Sequence, residues 1–471
     1  MQRSRLQRIT LALLKPRVAI PLLLLALLLI TPLIYRGSRL FGLPDIGPPF
    51  DVEKYGTVQI DPGDNAFEFY KKASALLAEP ARPIGNDEYR RGLDFGWRAA
   101  SEDVQTWVID NRAAIDVWRQ GTEATDGVNR QPSDLGSHRP SYPSGDLRVF
   151  AQLAKLEGSR LESVQKPKAA WTLYRAMLRS SRHCGRYGST TERLIGIAIH
   201  SSAGKAIGSW ASNPHVDAVM LRNARSHIIA DYAMTSPEST TLASEYFALM
   251  NLYDGPDFAS HFAAVLGVTT EEGGGTSGTI GMFVFNEPEV SRRVTRHVFA
   301  NWLAQIDKPR HARTAQHSGA LDLFEPAPDA APQALTPARI EEYVGRSLVA
   351  QRQLSGAELL DDAIGREQAH QACLVVMLAV QAYHRDHGEF PDTIEALREG
   401  YLDDLPADPF GEASEAIHYR RDGERAVVWS VGKNGLDENG DLQMGVVDGY
   451  GGYNLDVGYE FTAPGATEAQ P

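Results

Sequence analysis

Apolar positions fall into three regimes along the chain. The first is continuous: residues 18–35 carry no charge, and 22–30 are almost pure leucine. At about 1.5 Å per residue this run makes a helix of about 27 Å, enough for the hydrocarbon core of a bilayer. Pro21 and Pro32 stand near its ends, where a missing N–H costs least. The pattern predicts a transmembrane helix over 18–36, with residues 1–17 as a short tail. No small-x-small cleavage site follows the run, and Tyr35, Arg36 and Leu40 occupy that place. An uncleaved anchor therefore fits better than a signal peptide.

From residue 64 the spacing becomes helical, with apolar residues three and four apart. The stretch 102–120 carries Val104, Trp107, Val108, Ile115 and Trp118 behind Ser101 as cap. The same rhythm runs over 146–164, over 169–183 with Trp171, Tyr174, Met177 and Leu178, and over 190–210. Short breaks at Lys166-Pro167, 185–188 and Asn213-Pro214 separate them, which predicts antiparallel hairpins side by side, an α-hairpin array. The Gly-rich stretch 271–278 reads as a loop, with 282–285 extended after it. Residues 323–337, holding four prolines, read as a linker. The helical domain is thus expected over 37–322 and a last module over 338–471.

That module forms the third regime. Residues 363–387 predict a long helix whose middle, 373–380, is apolar on every side and so must be buried from more than one direction. Residues 391–397 read as a short helix. Two strand-like runs, 417–420 and 426–431, flank Asp422-Gly423, a strong hairpin signal. A buried helix on a small antiparallel sheet is an α+β unit. The fold class expected is mainly α, from N-terminal anchor through hairpin array to a small α+β module.

The order Tyr383, His387-Gly388, Phe390-Pro391, Leu397, Tyr401-Leu402, Leu405-Pro406, Asp408-Pro409-Phe410-Gly411, Tyr419 and Trp429-Ser430-Val431-Gly432 resembles the globular half of the type II secretion major pseudopilins. The whole chain also resembles a group of bacterial membrane-anchored proteins that carry such a module behind a helical region. No prepilin processing site precedes the anchor, and more than 300 residues separate it from the module, so assembly into a pilus is not expected.

Charge sharpens the placement. The total is −13, yet residues 1–17 hold Arg3, Arg5, Arg8, Lys15 and Arg17 and no acid. With those five and Arg36 and Arg39 set aside, residues 40–471 carry −20. The basic flank puts the N-terminus in the cytoplasm and the bulk of the chain outside, on a single-pass protein of the bacterial inner membrane. An acidic exterior repels phosphate backbones, so no nucleic-acid partner is expected. The two cysteines, Cys184 and Cys373, are read as buried thiols, with a bridge left open.

After the second strand run, Asp437, Asn439 and Asp441 alternate on glycine hinges and could point three oxygens at one Ca²⁺ ion. A solvated polar turn is the competing reading, because Asp, Asn and Gly are common turn residues. The pseudopilin resemblance implies calcium in this loop, with Asn434, Asp437 and Asp441 as ligands and Asp448 as a late one.

Other patterns lead to no chemistry. The glycines at 273–278 fit a dinucleotide spacing without the strand before and helix after it. Ser163/Lys166 and Ser202/Lys205 fit S-x-x-K without a Lys-Thr-Gly strand. His384 and His387 lie three apart at a helix end, where they suit its negative pole better than a metal. The expectation is a non-enzymatic docking or structural protein of the envelope with a protein partner. The alternatives are a hydrolase with dispersed active-site residues and an accessory component of a secretion apparatus. A deep pocket gathering acids and histidines with strongly shifted pKa values would favour the enzyme.

Overall fold

The computed structural model describes residues 16–61, 63–136, 143–267, 274–327, 335–442 and 455–465. It is mainly helical with a small C-terminal antiparallel sheet. Compactness groups the chain differently from sequence order. One unit holds residues 1–50, 249–302 and 315–355, and the other holds 51–248, 303–314 and 356–471.

In the first unit a helix runs over Pro16–Ser38 and brackets the leucine run, while residues 1–15 of the basic tail lie outside the described residues. Among the described residues, no helix is long and apolar enough to cross a membrane. Leu23, Leu24, Leu28 and Ile34 of this helix are exposed.

The segment read as a loop with an extended tail is instead a helix, Gly274–Phe285. Its glycines serve packing. A Cβ at Gly278 would sit 2.6 Å from the Ala259 carbonyl oxygen, and one at Gly281 would crowd the Phe262 ring. They let this helix close on the one at Phe258–Val265. Its other neighbour is the first helix, through an edge contact of Tyr35 with Phe285 and Arg36 over the Phe283 ring at 4.6 Å. Two strands, β1 (Gln316–Ser318) and β2 (Asp322–Phe324), pair antiparallel, so the expected linker begins after a buried strand that contains Leu323.

In the second unit the helices Ser144–Ser163, Pro167–His183, Thr190–Ala211 and Ala218–Tyr232 follow one another as the breaks predict. The second packs against each of the other three, and the first also against the third. The single helix expected over 102–120 is two, Glu102–Asp110 and Arg112–Gly121. Buried Asn111 makes the break: its amide donates to the Ala78 carbonyl at 3.0 Å and accepts from the Ala78 N–H at 2.8 Å. Tying a distant backbone segment with both ends of one amide outweighs continuing the helix through that residue.

The long helix spans Leu348–His387, and its middle is buried on all sides, from Cys373 to Val380. β3 (His418–Asp422) and β4 (Arg425–Ser430) form the expected hairpin, turning at Gly423 with φ +60°. A third strand, β5 (Val457–Thr462), pairs with β4, giving the order β3-β4-β5. Val457, Tyr459 and Phe461 point inward from it. The helix middle and this sheet share one apolar core with the hairpin helices, joining Trp118, Phe150, Met177 and Trp210 to Leu374, Met377, Val428 and Phe461. The Pro406–Gly411 turn is fastened by buried Asp408, which accepts from the Phe410 and Val431 N–H groups at 2.8 and 2.9 Å and from the Ser430 hydroxyl.

Candidate functional site

The helix Pro167–His183 carries arginines at 175, 179 and 182, spaced so that all three share a face. Arg175 and Arg179 both close on buried Asp231, at 2.8 Å each. Arg182 points elsewhere, to Glu367 on the long helix, and Arg193 from the start of helix Thr190–Ala211 takes the other oxygen of the same carboxylate. A capping box between Ser189 and Glu192 fixes that helix start and so the direction of Arg193. Arg182 is held further by Thr235 and by the Ser181 hydroxyl.

Glu367 is completely buried. Burial alone would raise its pKa, but Arg182 and Arg193 together drive it far below the ordinary carboxylate range. His200 lies 4.0 Å away, donates to or accepts from the Tyr232 hydroxyl at 2.8 Å, and is held neutral by burial, its pKa pushed down to about 3. Glu367 is therefore a charged and fixed floor, and neither it nor His200 changes protonation near neutral pH.

Above that floor opens a cleft of about 660 Å³. Its wall at 306–313 brings Lys308, Arg310, His311 and Arg313, and the start of helix Glu238–Asp254 brings Glu238. Asp361 takes both Arg310, at 3.0 Å, and Arg313, at 2.7 Å. Arg310 also lies over the Phe410 ring at 4.8 Å, and its Nε is buried without a hydrogen-bond partner. At the cleft, then, two pairs of arginines each share one carboxylate, Glu367 and Asp361. Six arginine and lysine side chains line the cleft against five carboxylates, one of them Glu238, on a chain whose total charge is −13.

Glu238 is the titratable group of this site. Its Oε1 accepts from the Gln368 amide at 2.8 Å, while Oε2 is buried with no hydrogen-bond partner and lies 3.8 Å from Arg313. Burial first, and Asp361 second, push its pKa up to about 7 against the pull of Arg313 and Arg310. Such a carboxyl can give or take a proton at neutral pH.

The candidate calcium residues fall elsewhere, after β4. Asp437 accepts from the Trp429 indole N–H at 2.9 Å and the Asn439 N–H at 2.8 Å, and its other oxygen is 3.6 Å from His418. The Asn434 amide donates to Glu438 and accepts from the Leu436 N–H. Asn439 adopts φ +59°, and its carbonyl accepts from Arg420. Asp441 is exposed, and its carbonyl accepts from the Asp456 N–H; Asp448 lies outside the described residues. Among the described residues, no group of three or more His, Cys, Asp or Glu stands ready to hold a metal. The loop's buried carboxylate is Asp456, which accepts from the Gly440 and Glu438 N–H groups and is pushed up to about 6 by burial.

His384 and His387 spread onto separate rings, Phe390 at 4.7 Å and Tyr383 at 4.1 Å. Cys184 and Cys373 are unpaired and fully buried, and burial raises both thiols. Of the cleft residues, the sequence reading names Asp408 and Pro409, for their turn, and none of the arginines or Glu238. Arginines at 175, 179 and 182 flanking the apolar stripe of one helix were the available signal. No family model, curated protein or solved structure matches this chain.

Proposed function

We propose that this is a membrane-anchored cell-envelope protein whose arginine-lined cleft receives an acidic ligand or partner segment and performs no reaction on it. The carrying observation is the doubled pairing of two arginines with one carboxylate, which leaves buried cationic surface facing a cleft. Cations held in a low-dielectric recess attract anions far more strongly than the same charges in open water. The leucine run and basic flank support the anchor and its orientation, with the bulk of the chain outside the cytoplasm. The resemblance around Asp408-Pro409-Phe410-Gly411 supports a pseudopilin-like module, stiffened by calcium through Asn434, Asp437 and Asp441, with Asn439 and Asp448 beside them.

The test is titration of the full chain with a hexa-aspartate peptide at low ionic strength. Binding should weaken at least about tenfold in Arg310→Ala and fall steeply with added salt. No binding, or binding indifferent to the substitution, would retire the reading.

Glu238 favours a second reading, an envelope hydrolase with this carboxyl as general acid. Both thiols are raised by burial, so a cysteine nucleophile has no support. Heat-sensitive labelling of the chain by serine-directed probes would speak for it.

A further inference from the structure

The helix Ala218–Tyr232 carries a second arginine environment, unlike the cleft. Arg225 borders a separate cavity of about 390 Å³, and its Nε and Nη1 are both buried without a hydrogen-bond partner. Ile229, one turn further along the same helix, Val375 on the long helix, and Leu402 and Pro406 give the cavity an apolar lining, beside the polar Gln368 and Gln371 and the rim carboxylates Asp403 and Asp404. Buried donors on a cation are costly to leave unmade, and such an atom pair beside open space calls for an acceptor.

We propose that this cavity binds a small organic carboxylate, its charged end on Arg225 and its apolar tail against Val375 and Leu402. Asp403 is the carboxylate that acts on Arg225, and it stands exposed at the rim without bonding the two orphaned nitrogens. Its charge steadies the guanidinium and also opposes an incoming anion. Burial lowers the Arg225 pKa, the mark of a cation short of contacts. A charge-assisted hydrogen bond from the ligand would remedy that, and the volume suits a chain of about six carbons with room for a branch. The cavity meets the larger cleft at Tyr232, Gln368 and Gln371, which line both. The inference nevertheless stands apart from the proposed function, since it uses neither Arg310 nor Glu238.

The probes are hexanoate, its neutral analogue hexanamide, and N-acetyl-leucine, titrated calorimetrically into the full chain in nonionic detergent. Hexanoate or N-acetyl-leucine should bind, and the better of the two identifies a linear or a peptide-like carboxylate. Hexanamide should bind at least about tenfold more weakly than hexanoate, with a like loss for the better acid in Arg225→Gln. Arg225→Lys keeps the charge and should lose less, which separates loss of the site from loss of the fold. Asp403→Asn, at an exposed position, should tighten binding. Arg310→Ala should leave hexanoate affinity unchanged even where it abolishes hexa-aspartate binding. Equal affinity for acid and amide, indifference to Arg225→Gln, or no binding of either acid would overturn the assignment.

Discussion

At neutral pH the Glu238 carboxyl stands between its two forms, and only one of them suits its surroundings. The folded chain holds this proton more tightly than the unfolded chain does, because burial and Asp361 raise the pKa to about 7 from the ordinary 4.5. Its contribution to stability is therefore complete below the unfolded pKa and is lost as pH rises through about 7. Glu238→Gln removes the penalty on the charged form. The variant should be more stable than the parent by on the order of 2 kcal/mol at about pH 8, and nearly equal to it at about pH 4. Urea denaturation at both values checks this, and an equal shift at both would show that the gain is not electrostatic. No periodicity announces such a residue. Ser236-Pro237-Glu238 reads as an ordinary helix start, and its burial depends on residues more than sixty positions further along the chain.

At the scale of elements, legibility followed local signals. The hairpin at Asp422-Gly423 and the buried middle of the long helix were plain in the sequence, since turn chemistry and all-round apolarity are short-range properties. The break at Asn111 and the helix at Gly274–Phe285 were not, because each depends on a partner distant in sequence, Ala78 in one case and Phe262 and Tyr35 in the other. Strand β5 escaped notice for the same reason: it is completed only by pairing with β4. Glycines carry part of this long-range information. Gly204 on helix Thr190–Ala211 faces Tyr459 of β5 so closely that an added Cβ would collide with the ring and its hydroxyl. Gly204→Ala should therefore destabilise the chain by about 1–3 kcal/mol, although helix propensity alone favours alanine by about 1 kcal/mol. Thermal unfolding decides which term wins. The loop after β4 makes its own prediction. Calcium added to EDTA-stripped protein should raise the melting temperature, and Asp437→Ala with Asp441→Ala should abolish the rise. An unchanged melting temperature would leave a polar turn held by Trp429 and Asp456.

For the whole molecule, the proposed anchor makes the simplest prediction. The full chain should remain with membranes through an alkaline carbonate wash, and replacing Leu25 and Leu28 by arginine should release it, at a cost of about 3 kcal/mol per buried charge. Release of the parent chain by carbonate would remove the anchor from the proposal. The joint core of the second unit has a different consequence, one of timing. Its first helices, from Ala66 onward, are packed in one core with residues as late as Phe461 and Ala463. A chain made from its N-terminus delivers its closing strand almost four hundred residues after its opening helix. Until then the apolar faces of the hairpins have no sheet to cover them, and contacts of such long range are slow to form. During synthesis this chain therefore has a long interval in which a holding chaperone is needed, and a copy cut short before β5 would become a substrate for proteases.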